Sequence, residues 1–279
     1  MAKFIPLHIH SEFSLLDGTI RIGDLVNYAK ENELPAIAVT DHGVMYSAIE
    51  FYEKAKEAGI NPLIGCEFYV HDGDIHVHDN SHNPLYHLIL ICKDAKGYAN
   101  LIKLVSTAWC EGFYYKPRIN FELLKEHHEG LICASACLGG EVLQNLLKGD
   151  YAKAKETAQR YKDLFGDDYY IELQDHNLED QKRTNPDLIK IAKELNIKMI
   201  ITNDSHYLRR EDADAQDTLL CLQTNADKDD PNRFHFPNNE FYIKSKEEMR
   251  KAFSWMDDET FEECVKNTED AASKCNVEI

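Results

Sequence analysis

Apolar residues fall along this chain in short blocks that alternate between two spacings, and most of the strand-like blocks end or begin at a polar residue able to bind metal. Residues 4–9 form a brief apolar run that delivers His8 and His10. Residues 22–31 then place Ile22, Leu25, Val26 and Ala29 at helical spacing. Residues 35–40 have the pattern of a buried strand, and 45–58 that of an amphipathic helix stopped by Gly59. The alternation continues with strand 61–70, strand 86–92, helix 94–110 and strand 131–136. Helices over 141–147 and 151–164 follow, then strand 169–173, helix 179–195 and strand 198–202.

Six or seven strand-then-helix units are solved most economically by parallel strands with helical crossovers, left open as a sheet or closed as a barrel. Candidate ligands occur from the first strand to the last, and such groups converge more readily if the sheet closes. The expected fold is therefore an α/β barrel over residues 1–210. From residue 211 to 279 the chain is mostly helical and acidic, with helices over 247–253 and 257–274 and a loop around Asp229-Asp230-Pro231. This extension is expected to complete the domain or to connect it to a further region.

A length of 279 residues suits one large domain with its own core. With 31 Lys and Arg against 49 Asp and Glu, the net charge of −18 argues against holding nucleic acid by broad neutralisation of phosphates. An acidic chain is still compatible with a cluster of cations, which reverses the local field. Eight cysteines occur with no Cys-x-x-Cys pair and no apolar leader, so reduced thiols and a cytoplasmic location are expected. No apolar stretch reaches the length of a bilayer span, so no membrane association is expected.

The polar residues at the strand ends carry the chemistry. His8-Ile9-His10 puts two imidazoles on one side of a strand, where both can reach one metal. A lone His-x-His is more often a surface pair, and Asp17-Gly18 alone is an ordinary turn. Asp41-His42 directly after a strand buries two ionisable groups that need partners. Glu67 lies inside Leu63-Ile64-Gly65-Cys66-Glu67-Phe68-Tyr69-Val70, where a carboxylate must face solvent or meet a cation. His87 opens the run Leu88-Ile89-Leu90-Ile91; singly it is a satisfied core histidine, as Cys137 singly is a small buried hydrophobe. A thiolate among imidazoles and carboxylates biases a site toward zinc or another transition metal. Asp204-Ser205-His206 repeats the spacing of the first pair. Together the nine residues describe a metalloenzyme.

Other clusters carry less. His71, His76, His78 and His82 with Asp72, Asp74 and Asp79 lie among Gly, Asn and Ser, which marks an exposed loop. Asp212 and Asp214 diverge on a helix, and Asp227-x-Asp229-Asp230 lacks the glycine and distal glutamate of a calcium loop. No Gly-rich phosphate loop or sustained repeat is present.

The order His8-x-His10, Asp17-Gly18, Thr40-Asp41-His42, Gly65-x-Glu67, His87, Cys137, Asp204-x-His206 resembles the polymerase and histidinol phosphatase (PHP) superfamily of metal-dependent phosphoesterases. The segments His10-Ser11-Glu12-Phe13-Ser14-Leu15-Leu16-Asp17-Gly18, Gly112-Phe113-Tyr114-Tyr115-Lys116-Pro117-Arg118 and Asn203-Asp204-Ser205-His206-Tyr207 are similar to the N-terminal PHP domain of bacterial DNA polymerase III alpha subunits. The resemblance implies a distorted seven-stranded (β/α) barrel with up to three divalent ions, whether zinc, manganese or iron. It places His8, His10, Glu67 and Asp204 around one ion. Glu67 bridges to a second held by His87 and Cys137, and Asp17, His42 and His206 hold a third. Alpha subunits without the activity show gaps in this set, whereas here every position is filled.

The resemblance further implies hydrolysis of phosphodiesters at a DNA 3′ end, of 3′ to 5′ proofreading type, with His10, Glu67 and Asp204 central. Lys116 and Arg118 are candidates for gripping the phosphate. The implied partners are the rest of the alpha subunit and the replisome subunits, with residues 211–279 leading to a polymerase region not found in this chain. The alternatives are a metal-stabilised structural module of the polymerase and a stand-alone small-molecule phosphatase; the 112–118 segment disfavours the latter.

Overall fold

The computed structural model describes residues 2–78 and 84–279. His82 and Asp79 of the histidine-rich tract lie outside them.

Eight strands form the sheet: β1 (Ala36–Val39), β2 (Asn61–His71), β3 (Leu85–Cys92), β4 (Phe113–Tyr114), β5 (Lys116–Ile119), β6 (Leu131–Ala134), β7 (Tyr169–Leu173) and β8 (Lys198–Ile201). The ring runs β1-β2-β3-β6-β7-β8, with the short β4–β5 hairpin joined to the far half of β2. The N-terminal segment closes it into a distorted barrel of seven staves. Ala38 and Thr40 donate to Pro6 O and Ile9 O, and on the other side His10 donates to Ser205 O and Ser205 to His8 O. This first stave is not a regular strand. Ile5 and Leu7 pack inside the barrel, yet His8 and His10 do so as well, and a pleat cannot turn two successive residues to one face.

The expectation of all-parallel strands needs correction. β1, β5, β6, β7 and β8 each make a parallel pairing, but β3 is antiparallel to both β2 and β6. Residues 72–84 connect it to β2 with no helix among those described, and the chain returns antiparallel. The reversal explains why His87 stands near the beginning of its strand: that end of β3 lies beside the end of β2.

Among the described residues there are ten α-helices: α1 (Ile22–Glu31), α2 (Ala48–Glu57), α3 (Ala95–Cys110), α4 (Phe121–His127), α5 (Glu141–Leu147), α6 (Tyr151–Phe165), α7 (Glu179–Leu195), α8 (Ala213–Thr224), α9 (Lys246–Ala252) and α10 (Asp258–Ser273). Those around the barrel bury their apolar stripes on its outer face, as Leu25 and Ala29 of α1 do. The hairpin β4–β5 and helix α4 were not foreseen from the apolar pattern; α4 is announced only by Asn120, whose side chain accepts from Leu123 N.

Period two along the strands sorts the barrel interior by depth. On β1 the inward positions are Ala36 and Ala38, and on β2 they run Leu63, Gly65, Glu67; β3 contributes Ile91, Ile89, His87, and β7 Tyr170, Glu172. One end is therefore apolar and the other polar. The apolar end is plugged by the C-terminal part of the extension: Ala271, Ala272 and Cys275 join this interior cluster. Asn61 donates to Cys275 O, and Asn276 to Lys93 O. Met249, Phe253, Phe261 and Val265 meanwhile belong to the main outer core. Residues 211–279 thus share both cores with the barrel. No helix among the described residues is long and apolar enough to cross a membrane.

Candidate metal centre

The polar end of the barrel gathers all nine residues singled out by sequence. Glu67 is the hub. Its Oε1 lies 2.9 Å from His87 Nδ1, 3.5 Å from His8 Nε2 and 3.7 Å from Cys137 Sγ. Its Oε2 lies 2.8 Å from His42 Nδ1 and 3.2 Å from His10 Nε2. Asp204 Oδ1 forms a second focus, 3.1 Å from His8 Nε2 and 3.2 Å from both His10 Nε2 and His206 Nε2. Asp17 Oδ2 lies 2.9 Å from His42 Nε2. The rings of His42 and His206 both stack on His10, at 4.1 and 4.4 Å.

Three groups bring their ligand atoms within 4.8 Å of one another: His8 with His10 and Asp204, His42 with Glu67 and His87, and His10 with His42 and His206. Cys137 Sγ stands 3.5 Å from His87 Nδ1, beside the second group. The grouping departs from the one the resemblance implies in two respects. His42 lies between Asp17 and Glu67, touching both, and His10 also joins His42 and His206.

The backbone aims these donors. Leu16 and Ala136, one residue before Asp17 and Cys137, and Asp204 itself all have positive φ, between 44° and 64°. Such conformations are costly for residues other than glycine and tend to persist at functional sites. Gly139 is needed for a different reason: a Cβ there would stand 2.9 Å from the His87 ring.

The electrostatics are those of a charge cluster taken out of water. Burial alone would strip the proton from His8, but Asp204, Glu172 and Glu67 outweigh it and hold its pKa well above the usual histidine value. Burial likewise opposes protonation of His42, yet Glu67 and Asp17 push it up to about 10. His10 goes the other way, lowered by burial and by the neighbouring His42 and His206. Burial would raise Glu67 and Asp204, but the surrounding imidazoles keep both well below the carboxylate range. Burial, with Asp204 and Glu67 nearby, pushes the Cys137 thiol up, so a thiolate forms there only beside a cation.

The residues fit metal ions on an observation independent of charge. Glu67 Oε2, Asp204 Oδ1 and His42 Nδ1 are buried and find no hydrogen-bond partner among the described residues, although imidazole or carboxylate atoms lie about 3 Å away. The atoms are close without being aligned as donor and acceptor, which is how ligands surround a shared cation.

Two functional residues escaped the sequence reading. Glu172 Oε1 sits 2.6 Å from His8 Nδ1 and also accepts from Thr202 Oγ1 and, at 2.9 Å, from Gln174 Nε2. It fixes the His8 ring from behind, in the manner of an outer carboxylate. Its signal was present: a glutamate inside the buried run Tyr169-Tyr170-Ile171-Glu172-Leu173. Ser14 is the other, its Oγ 3.0 Å from His10 Nδ1 and donating to Asp41. Asp41 accepts from Ser11, Ser14 and Ser47, so it braces the loops and is no ligand. His176, close to the pocket, is held by Asn203 O and Gln181, and burial lowers its pKa to about 4.

The phosphate candidates part company. Lys116 is exposed, its Nζ 5.1 Å over the Tyr69 ring, in a cleft shared with Asp17 and His42. Arg118 does not face the pocket, which corrects the expectation. It is fully buried and donates to Gly112 O, Val77 O and Ile75 O at 2.9, 3.1 and 2.6 Å. His76 and His78 are exposed, and His78 stacks on Tyr114.

The family described as PHP domain matches residues 6–176, a span that holds His8, His10, Asp17, His42, Glu67, His87 and Cys137. The chain belongs to the PHP family. It is 44% identical over 99% of its length to a DNA polymerase III subunit alpha from Borreliella burgdorferi. To that of Deinococcus radiodurans it is 46% identical, again over 99%. The chain spans about a quarter of the curated relatives it matches, 24% and 21% of these two. A two-domain protein from Bacteroides vulgatus, described as containing a predicted PHP-like metal-dependent phosphoesterase, overlaps this PHP domain with a TM-score of 0.48 at 18% identity, covering 78% of this chain and 56% of that one.

Proposed function

We propose that this PHP domain hydrolyses phosphodiesters, acting at DNA 3′ ends as part of a DNA polymerase III alpha subunit. The observation that carries the reading is the position of Glu67, one carboxylate within 3.7 Å of five other donors at the mouth of a closed barrel. His8, His10, Glu67 and Asp204 would hold one divalent ion, Glu67 with His87 and Cys137 a second, and Asp17, His42 and His206 a third. Such ions, when bound, lower the pKa of water toward neutrality and offset charge on phosphoryl oxygens. Cys137 favours zinc within the set, while the imidazoles and carboxylates also suit manganese or iron.

The chain's own residues supply position. Glu172 and Ser14 fix the His8 and His10 rings. A cleft of about 380 Å³ opens over Asp17, His42, His87, Cys137, Asp204 and His206 and admits a phosphate group. Lys116 meets the phosphate from the side and steers it toward Asp17 and His42. The rest of an alpha subunit and the replisome subunits are the partners this reading implies.

The test is degradation of a 3′-labelled oligonucleotide with manganese or zinc, alongside Asp204→Ala and His10→Ala. Loss of cleavage in both variants supports the reading. Equal degradation by wild type and variants means the activity comes from elsewhere, and the domain is then a metal-stabilised structural module.

A further inference from the structure

The aromatic residues beside the metal centre take no part in holding it, yet they are kept in water. Phe113 and Tyr115 on the β4–β5 hairpin are 46% and 75% exposed, and Trp109 near the end of α3 is 41% exposed. A cluster of large exposed aromatics at a cleft marks a binding surface.

This cluster is built into place. Trp109 Nε1 donates to Gly43 O at 2.8 Å, one residue beyond His42. Its ring stacks on Phe113 with 5.2 Å between centroids and 13° between planes. Gly43 has φ of +63°, and a Cβ on it would stand 2.6 Å from Pro117, so hairpin and ligand loop are in close contact. The base of the hairpin is pinned by Arg118, which joins it to the 75–77 segment through carbonyls. The cleft of about 270 Å³ lined by this wall is lined by Asp17 and His42 as well. Lys116 is the one lysine or arginine among its described lining residues.

The geometry points to a base-stacking platform: Trp109, Phe113 and Tyr115 receive unstacked bases of a single-stranded nucleic acid whose phosphate passes Lys116 toward Asp17 and His42. Each base presents a π-face, so stacking tolerates any sequence and does not need a basic surface. That suits a chain of net charge −18 with a single lysine in the cleft. A folded protein partner is the poorer fit, because the wall faces into the cleft that leads to the metal ligands. The direction of the strand rests on the phosphodiesterase reading, but binding does not, so the two are separable.

The chain has two tryptophans, and Trp255→Phe leaves Trp109 as the only one. Titrating this protein with short oligothymidylate in EDTA should quench its fluorescence saturably, and Tyr115→Ala or Phe113→Ala should weaken binding roughly tenfold. In metal, Tyr115→Ala should lower kcat/KM for oligothymidylate about tenfold relative to kcat/KM for bis(p-nitrophenyl) phosphate, a substrate without bases. Tyr115 is exposed, so a melting curve like that of wild type is expected. No quenching, in protein that still cleaves bis(p-nitrophenyl) phosphate, overturns the platform and leaves the phosphodiesterase reading intact. Quenching weakened by Tyr115→Ala, in protein that cleaves neither substrate, upholds the platform and overturns catalysis alone. Equal affinity in wild type and both variants overturns the platform, and the wall is then a protein contact.

Discussion

Replacing Glu67 by glutamine keeps the side chain's shape and removes the one charge that touches His8, His10, His42, His87 and Cys137 together. If this carboxylate bridges ions, metal should stabilise the wild type and barely affect the variant. At zinc a hundredfold above Kd, binding adds about 2.7 kcal/mol to folding stability. For 279 residues the unfolding entropy is about 0.6 kcal/mol per degree, so the wild type should melt about 4–5 °C higher with zinc than in EDTA. Losing a shared ligand weakens affinity at least as much as losing an outer carboxylate does, roughly a hundredfold. The same zinc then stands near Kd and adds only about 0.4 kcal/mol, a shift under about 1 °C. Each protein must be compared with its own metal-free form, since removing one partner from a buried charge cluster itself costs about 3–5 kcal/mol. Scanning calorimetry with and without zinc reads the shift, and elemental analysis after dialysis reads the occupancy. A Glu67→Gln protein that retains the same number of ions and melts upward by the same interval would refute the bridging role.

Glu172→Gln should weaken zinc binding about tenfold to a hundredfold without touching an ion, read by competition with a chromophoric chelator; unchanged affinity would remove Glu172 from the site. Cys137→Ser should lower the preference for zinc over manganese, measured as the ratio of the two dissociation constants, and an unaltered ratio would show that the thiol is no ligand. Arg118→Met should lower the melting point by about 5 °C, because three carbonyls lose their donor at about 1 kcal/mol or more each; a normal melt with weaker phosphate binding would restore its expected role at the phosphate. The pH dependence follows from His42, raised from 6.5 to about 10. A raised imidazole stabilises the metal-free protein fully below its unfolded pKa, and that contribution disappears as pH climbs from about 6.5 to 10. Urea midpoints in EDTA should decline over this window, while the zinc-loaded protein, whose ligands have already released their protons, should not show that loss. A flat EDTA profile would contradict the charge cluster.

Most of the site was legible because strand-end position is a strong physical signal. His8, His42, Glu67, His87, Cys137 and Asp204 adjoin apolar runs, and polar groups there must be partnered. The direction of a strand is not written in its apolar pattern, so β3 read the same forward and backward, and its reversal appeared only in the pairing register. Arg118 was misplaced for a related reason. Its acceptors at Ile75 and Val77 lie more than forty residues away, and nothing near Arg118 in sequence announces them. Glu172 was equally legible by the argument applied to Glu67.

The division of the interior into an apolar and a polar end bears on how the centre forms. Below the ligands, Leu63, Ile89, Ile132 and Ile200 pack against Ala271 and Ala272, so the barrel has a core that needs no metal. Above it, protonated imidazoles and ionised carboxylates compensate one another, and backbone torsions at Leu16, Ala136 and Asp204 fix the approach of three donors. A metal ion bound here would exchange with protons in a site whose donors are already in place, instead of organising an unfolded loop. The energetic consequence is affinity governed by competition with protons, not by folding. It also accounts for the placement of α10 at the opposite end, where it seals the core, while Gln216, Phe236 and Phe241 of the same extension stand at the mouth.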